Sequence, residues 1–145
     1  MILYNGLTLA YIGDAYFEMR IRNLGLSSGL TLVNDLHNFS IRYTNSKSQA
    51  LAAHILYEEV YTEEEKKIFK RGRNQNASHK PKNSDVQTYN KSTGFEAVIG
   101  YLYLEENWNR LDYIFNKTIE IVDKNSDSWF LESLLKYFIF QKDYL

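Results

Sequence analysis

The sequence contains no cysteine. Disulfides, thiolate metal sites and a cysteine nucleophile are excluded at once, and a reducing compartment fits. Proline occurs once, at Pro81, and glycine only seven times in 145 residues. So few breakers, set among apolar residues that recur every three or four positions, predict an all-α fold. No apolar run reaches the roughly 18 residues that a membrane-spanning helix needs. The first residues show no basic segment followed by an apolar core, so no signal peptide is expected. The expectation is a cytoplasmic protein with no membrane partner. A large excess of one charge is also lacking, since the net charge is −1.

That small net charge hides a segregation. Seven Lys or Arg and no acid lie between Lys66 and Ser84, leaving ten basic against eighteen acidic residues elsewhere. A local basic field of this kind says more about partners than the total does. The length suits one domain with a real core. The hydrophobic share of 44% and charged share of 24% are those of a globular protein.

A first helix is predicted from an N-cap at Asn5 to about Leu24, ended by Gly25, with Leu9, Ile12, Tyr16, Met19 and Leu24 as its apolar positions. Thr31 is read as the cap of a short helix to about Phe39. A third helix is expected from about Arg42 to Tyr57, with Ala50, Ala53 and Leu56 on one face. Thr62 to Glu65 reads as a capping box opening a helix to Arg73. The stretch from Asn74 to Thr88 reads as a long polar loop. Helices over about 89–106, 108–122 and 128–141 complete the chain.

Two of these helices carry an acid in apolar company. Asp14 follows Gly13 among Tyr11, Ile12, Tyr16 and Phe17, and Glu96 opens the run Phe95 to Leu102. An ionised carboxylate in such surroundings is costly unless paired. If Gly13 and Gly100 lie at an antiparallel helix contact, Asp14 and Glu96 face one another and can share a divalent cation. Mg²⁺ suits such a site, since it keeps several waters and takes only one or two protein carboxylates. Arg or Lys partners for both acids are the other reading of the pattern. For Glu18 the pattern itself supplies a partner, Arg22 one turn on.

The segments Tyr11-Ile12-Gly13-Asp14-Ala15, Lys70-Arg71-Gly72-Arg73-Asn74 and Ser92-Thr93-Gly94-Phe95-Glu96-Ala97-Val98-Ile99-Gly100 resemble the ribonuclease III family. Within it they are similar to the Mini-ribonuclease III branch, which is a catalytic domain without a separate double-stranded-RNA-binding domain. The resemblance spans roughly Asn5 to Val122. It implies an all-helical homodimer that hydrolyses double-stranded RNA with Mg²⁺, Mn²⁺ serving as a substitute, and leaves 5′-phosphate ends. It further implies maturation of a 23S ribosomal RNA precursor. By position, Asp14 and Glu96 match the family's catalytic, metal-binding acids. Typical family members carry a glutamate at the place of Ala10 and an aspartate at the place of Thr93, so this site has fewer carboxylates.

With the resemblance, the basic segment becomes a candidate RNA grip through Lys70, Arg71, Arg73, Asn74, Lys80 and Lys82. Duplex RNA is recognised largely by shape, phosphates and 2′-hydroxyls. Lys47 and Thr93 are candidate supports of the site. His37 reads as a core or cap histidine. The expected organisation is a catalytic domain over 1–122 and a helical extension over 123–145 that packs on the domain or the dimer. A non-catalytic RNA-binding module of the same fold would need the basic segment but not both acids. A helical protein-interaction domain would need neither.

Overall fold

The computed structural model describes residues 4–75 and 85–125. The predicted last helix, Lys80, Lys82 and most of the predicted extension lie outside them. The described residues form six helices and no strand: α1 Gly6–Ser27, α2 Val33–Thr44, α3 Ser46–Glu59, α4 Glu63–Arg73, α5 Val86–Leu104 and α6 Trp108–Asn125. None is long and apolar enough to cross a membrane. The all-α expectation holds.

Helix α5 is central, packed by α1, α3, α4 and α6. That position explains its composition. Phe95, Ala97, Val98, Ile99 and Leu102 are all buried, on every side of the helix. A helix apolar all round belongs in the middle of a bundle. The other helices offer it one stripe each: Leu9, Phe17 and Ile21 from α1, Ala52, Ala53 and Leu56 from α3, Ile68 and Phe69 from α4. Phe17 meets Phe95 edge-on at 5.2 Å between ring centres.

The buried stripe of α1 differs from the one expected. It runs through Leu9, Gly13, Phe17 and Ile21, every fourth residue, whereas Met19 is 59% exposed. The rotation follows from Gly13, which faces the core because another backbone lies against it. Gly25 does not end this helix. It is buried where a side chain would strike Leu36 and Phe39 of α2, and the helix continues to Ser27. The left-handed residue after the helix is Gly29, at φ 95°.

The boundary between α2 and α3 also departs from expectation. Helix α2 runs on to Thr44, and Asn45 makes the break. The Asn45 side chain accepts from Ser48 N at 2.8 Å and donates to the Ile41 carbonyl at 2.7 Å. One residue thus caps the start of α3 and closes the end of α2.

The capping box of α4 is present as predicted, with Glu65 Oε1 accepting from Thr62 N at 2.9 Å. Glu65 has a second task. Its buried carboxylate takes two hydrogen bonds from the Arg110 guanidinium of α6, at 2.7 and 2.8 Å. Burial works against the charge, but the Arg110 and Thr62 hydrogen bonds hold the Glu65 carboxyl below its ordinary value. Its stabilising contribution is therefore present above the ordinary carboxyl range and lost as pH falls through the lowered value. Glu65→Ala should cost about 3 kcal/mol in urea unfolding, because it strands Arg110 and removes half the box. The difference from wild type should shrink in acid.

Candidate active site at the crossing of two helices

The candidate site begins with a backbone contact. A Cβ on Gly13 would fall 1.8 Å from the Glu96 carbonyl oxygen, and one on Gly100 would fall 1.9 Å from the Leu9 carbonyl oxygen. Both distances are far inside any permitted approach, so only glycine fits at either position. As α1 runs from 9 to 13, α5 runs from 100 to 96, which is the antiparallel contact the sequence suggested. The residue after Gly13 and the residue whose carbonyl touches it are Asp14 and Glu96. Two rigid helices therefore fix the spacing of the acids.

The two carboxyl groups are within hydrogen-bonding reach of one another. Asp14 is exposed, while Glu96 is half-buried. Burial, the charge of Asp14 and the hydrogen bond between the two carboxyls push Glu96 up to about 9. The more distant charge of Glu18 adds to this, and the Ser92 hydroxyl opposes it. Like charges held side by side cannot both ionise cheaply.

Among the described residues, neither acid forms an ion pair with Lys, Arg or His. Among the described residues the ion-pair reading of Asp14 and Glu96 finds no support. For Glu18 it holds: Arg22 lies 3.2 Å away across one turn. Among the described residues the acid pair thus has no ion-pair partner. No group of three His, Asp or Glu side chains converges among the described residues. The donor set, two carboxylates with an open side, still fits a hard cation that keeps most of its water, as Mg²⁺ does.

The other candidate residues are placed as follows. Thr93 is buried, and its hydroxyl donates back to the Tyr89 carbonyl at 3.0 Å rather than toward the acids. Lys47 is exposed and lines a separate hollow with Arg42, Asn45, Ser48, Leu51 and Val122. His37 is exposed on α2 rather than in the core or at a cap. Lys70 and Arg71 are exposed and Arg73 half-buried at the end of α4. Asn74 caps that helix and accepts from Arg73 Nε at 3.1 Å. Gly72 brings this basic end against α5, since its Cβ would lie 2.7 Å from that of Ala97. The basic end of α4 and the acid pair therefore belong to one unit of three helices.

One participant was not singled out from sequence. Gln49 of α3 is 2% exposed, and its Oε1 accepts from the Ser92 hydroxyl at 2.5 Å. The same hydroxyl lies 3.5 Å from Glu96 Oε1. The signal was available: Gln49 is the lone polar residue on the face formed by Ala52, Ala53 and Leu56.

Residues 7–107 match the family model of the ribonuclease III domain. The chain belongs to the ribonuclease III family. Among its relatives, Mini-ribonuclease 3 of Streptococcus pneumoniae is 48% identical over 122 residues, covering 83% of this chain and 95% of that one. Mini-ribonuclease 3 of Staphylococcus aureus is 47% identical over 123 residues, covering 84% and 92%. A crystal structure of a Fusobacterium nucleatum protein superposes with a TM-score of 0.73 at 32% identity, covering 81% of this chain and 93% of that one. The chain is an endoribonuclease of the Mini-ribonuclease III branch, with the helical fold of the ribonuclease III domain. Asp14 and Glu96 both fall inside the matched segment.

Proposed function

We propose that this endoribonuclease cuts double-stranded RNA with Mg²⁺ held by Asp14 and Glu96, works as a cytoplasmic homodimer, and matures a 23S ribosomal RNA precursor. The observation that carries this reading is the closeness of two carboxyl groups that form no ion pair among the described residues. A divalent cation bound there would activate a water and stabilise charge on the attacked phosphate. The chain's own contribution is placement. Gly13 and Gly100 lock the helices, Glu96 is held in a partly dry wall, and Asp14 stands at the open side. The products expected are 5′-phosphate and 3′-hydroxyl ends.

The grip on RNA is assigned to the end of α4. Lys70 and Arg73 stand against the Tyr57 and Phe69 rings, at 5.9 and 5.8 Å from the ring centres. Arg71 is tied to the Tyr4 carbonyl. Cations braced in this way offer phosphate contacts at a lower cost in side-chain entropy. Replacing Lys70 and Arg73 together by Ala should weaken duplex binding on all sequences alike. The slope of log affinity against log salt should fall by about one to two units. Unchanged binding and slope would assign the grip elsewhere.

A homodimer is supported by the outer face of α1 and α2. Tyr11 is 78% and Val33 79% exposed, Met19 is exposed on α1 as well, and Leu26, Val33 and Ile41 stand together around one hollow. This hollow, of about 430 Å³, has Leu26, Val33, Leu36 and Ile41 in its lining and Glu18, Arg22 and His37 among its polar neighbours. A second copy of the chain would cover this apolar surface and set two acid pairs along one duplex. Tyr11→Asp should shift the protein to a monomer in sedimentation and leave cutting of both strands impaired.

The substrate is tested by offering two duplexes of equal length, a 23S precursor stem and an unrelated stem. Faster cutting of the precursor at one position per strand is the expected result. Equal rates would leave a duplex nuclease without that assignment. Binding without cutting would favour the non-catalytic RNA-binding module.

A further inference from the structure

We propose that Gln49 and Ser92 form a positioning pair that aims the Glu96 carboxylate at its cation. The inference rests on the cation reading of Asp14 and Glu96 given above. Its own basis is the hydrogen-bond chain from α3 to α5. Gln49 is 2% and Ser92 4% exposed, so neither exchanges its partner for water. Ser92 sits one turn before Glu96 on the same helix, and its hydroxyl lies between Gln49 Oε1 at 2.5 Å and Glu96 Oε1 at 3.5 Å.

A serine hydroxyl has one proton to give and two lone pairs to offer. Where Ser92 gives its proton to Gln49, only a lone pair is left for Glu96. A carboxylate that binds a cation needs the opposite arrangement, with Ser92 donating to it. Gln49 makes that possible because its amide carries both kinds of group. Turned by half a rotation, it presents Nε2 to Ser92 as donor and frees the serine proton for Glu96. Only Oε1 and Nε2 of Gln49 exchange places between the two arrangements. A buried glutamine is the side chain that satisfies Ser92 either way; an aliphatic residue of the same size satisfies neither. Partners that hold metal-binding groups in this way typically contribute about 10- to 100-fold in metal affinity.

The test measures Mn²⁺ binding to the RNA-free protein by electron paramagnetic resonance, alongside the Mg²⁺ concentration giving half-maximal cleavage. Wild type, Ser92→Ala, Gln49→Met and the double variant are compared, with Asp14→Asn as reference. Melting in EDTA reports folding separately. The expected result is weaker Mn²⁺ binding, by about tenfold in Ser92→Ala, with a matching rise in the Mg²⁺ requirement. Gln49→Met should weaken binding too, and should add little once Ser92 is gone, because Gln49 acts through it. Unchanged Mn²⁺ affinity in both single variants, whatever their melting temperatures, would overturn the positioning role. Fully additive effects would overturn the link from Gln49 through Ser92. If wild type and Asp14→Asn bind Mn²⁺ alike, the cation reading itself fails, an outcome distinct from the other two.

Discussion

Glu96→Gln is expected to melt higher than wild type in EDTA at pH 8 and yet cut RNA at least about a thousandfold more slowly. Both effects come from one placement. Folding puts the Glu96 carboxyl in a partly dry wall beside Asp14, which raises it from the ordinary 4.5 to about 9. The folded state therefore keeps a proton that the unfolded chain gives up. The stability linked to this group is complete below about 4.5 and drains away as pH rises through about 9. Glutamine stays neutral and can donate to Asp14, so the variant avoids this loss. Allowing for partial exposure, we expect a gain of about 2 kcal/mol, or several degrees in melting temperature. Mg²⁺ favours the ionised carboxylate, so it should stabilise wild type at pH 8 and leave the variant unmoved. A structural acid would behave in the opposite way: its loss would lower the melting temperature and Mg²⁺ would change nothing.

Gly13→Ala and Gly100→Ala should each cost more than about 3 kcal/mol, at or beyond the upper end for overpacking. Alanine in place of glycine within a helix ordinarily stabilises by about 1 kcal/mol, so the sign itself is diagnostic. The reason is that the added carbon would meet backbone, at 1.8 Å from the Glu96 carbonyl and 1.9 Å from the Leu9 carbonyl. Backbone cannot swing aside as a side chain does, so α1 and α5 must part. Parting them also separates Asp14 from Glu96. Whatever fraction remains folded should show a raised Mg²⁺ requirement. Urea unfolding measures the first effect and cleavage against Mg²⁺ the second. A variant of wild-type stability would contradict the packing described here.

The same glycines show what could be read without the structure. Gly13 beside Asp14, and Gly100 one turn after Glu96, are costly residues inside strong helices, and that cost pointed to a close contact and to the meeting of the acids. Thr62 and Glu65 were legible because a capping box is local chemistry. The ion pair of Glu65 with Arg110 was not, since it joins helices 45 residues apart. Gly25 misled because a glycine near a helix end suits both a terminator and a packing site, and only the position of α2 tells them apart. Asn45 was overlooked as a cap because it lies in a polar run, Thr44 to Gln49, in which several residues could cap a helix. The face of α1 was misjudged by part of a turn: Met19 fits the period but points away from α5, toward the proposed dimer surface. Gln49 escaped notice because its partner, Ser92, is 43 positions away.

The central claim is that Asp14 and Glu96 hold a divalent cation with which this chain cuts duplex RNA. The most direct test is cleavage of an end-labelled RNA duplex by wild type with Mg²⁺, by wild type with EDTA, and by folded Asp14→Asn protein with Mg²⁺. Cutting in the first case alone, leaving 5′-phosphate ends, is the predicted result. Cutting that persists in EDTA, or in the Asp14→Asn protein at the wild-type rate, would contradict the account.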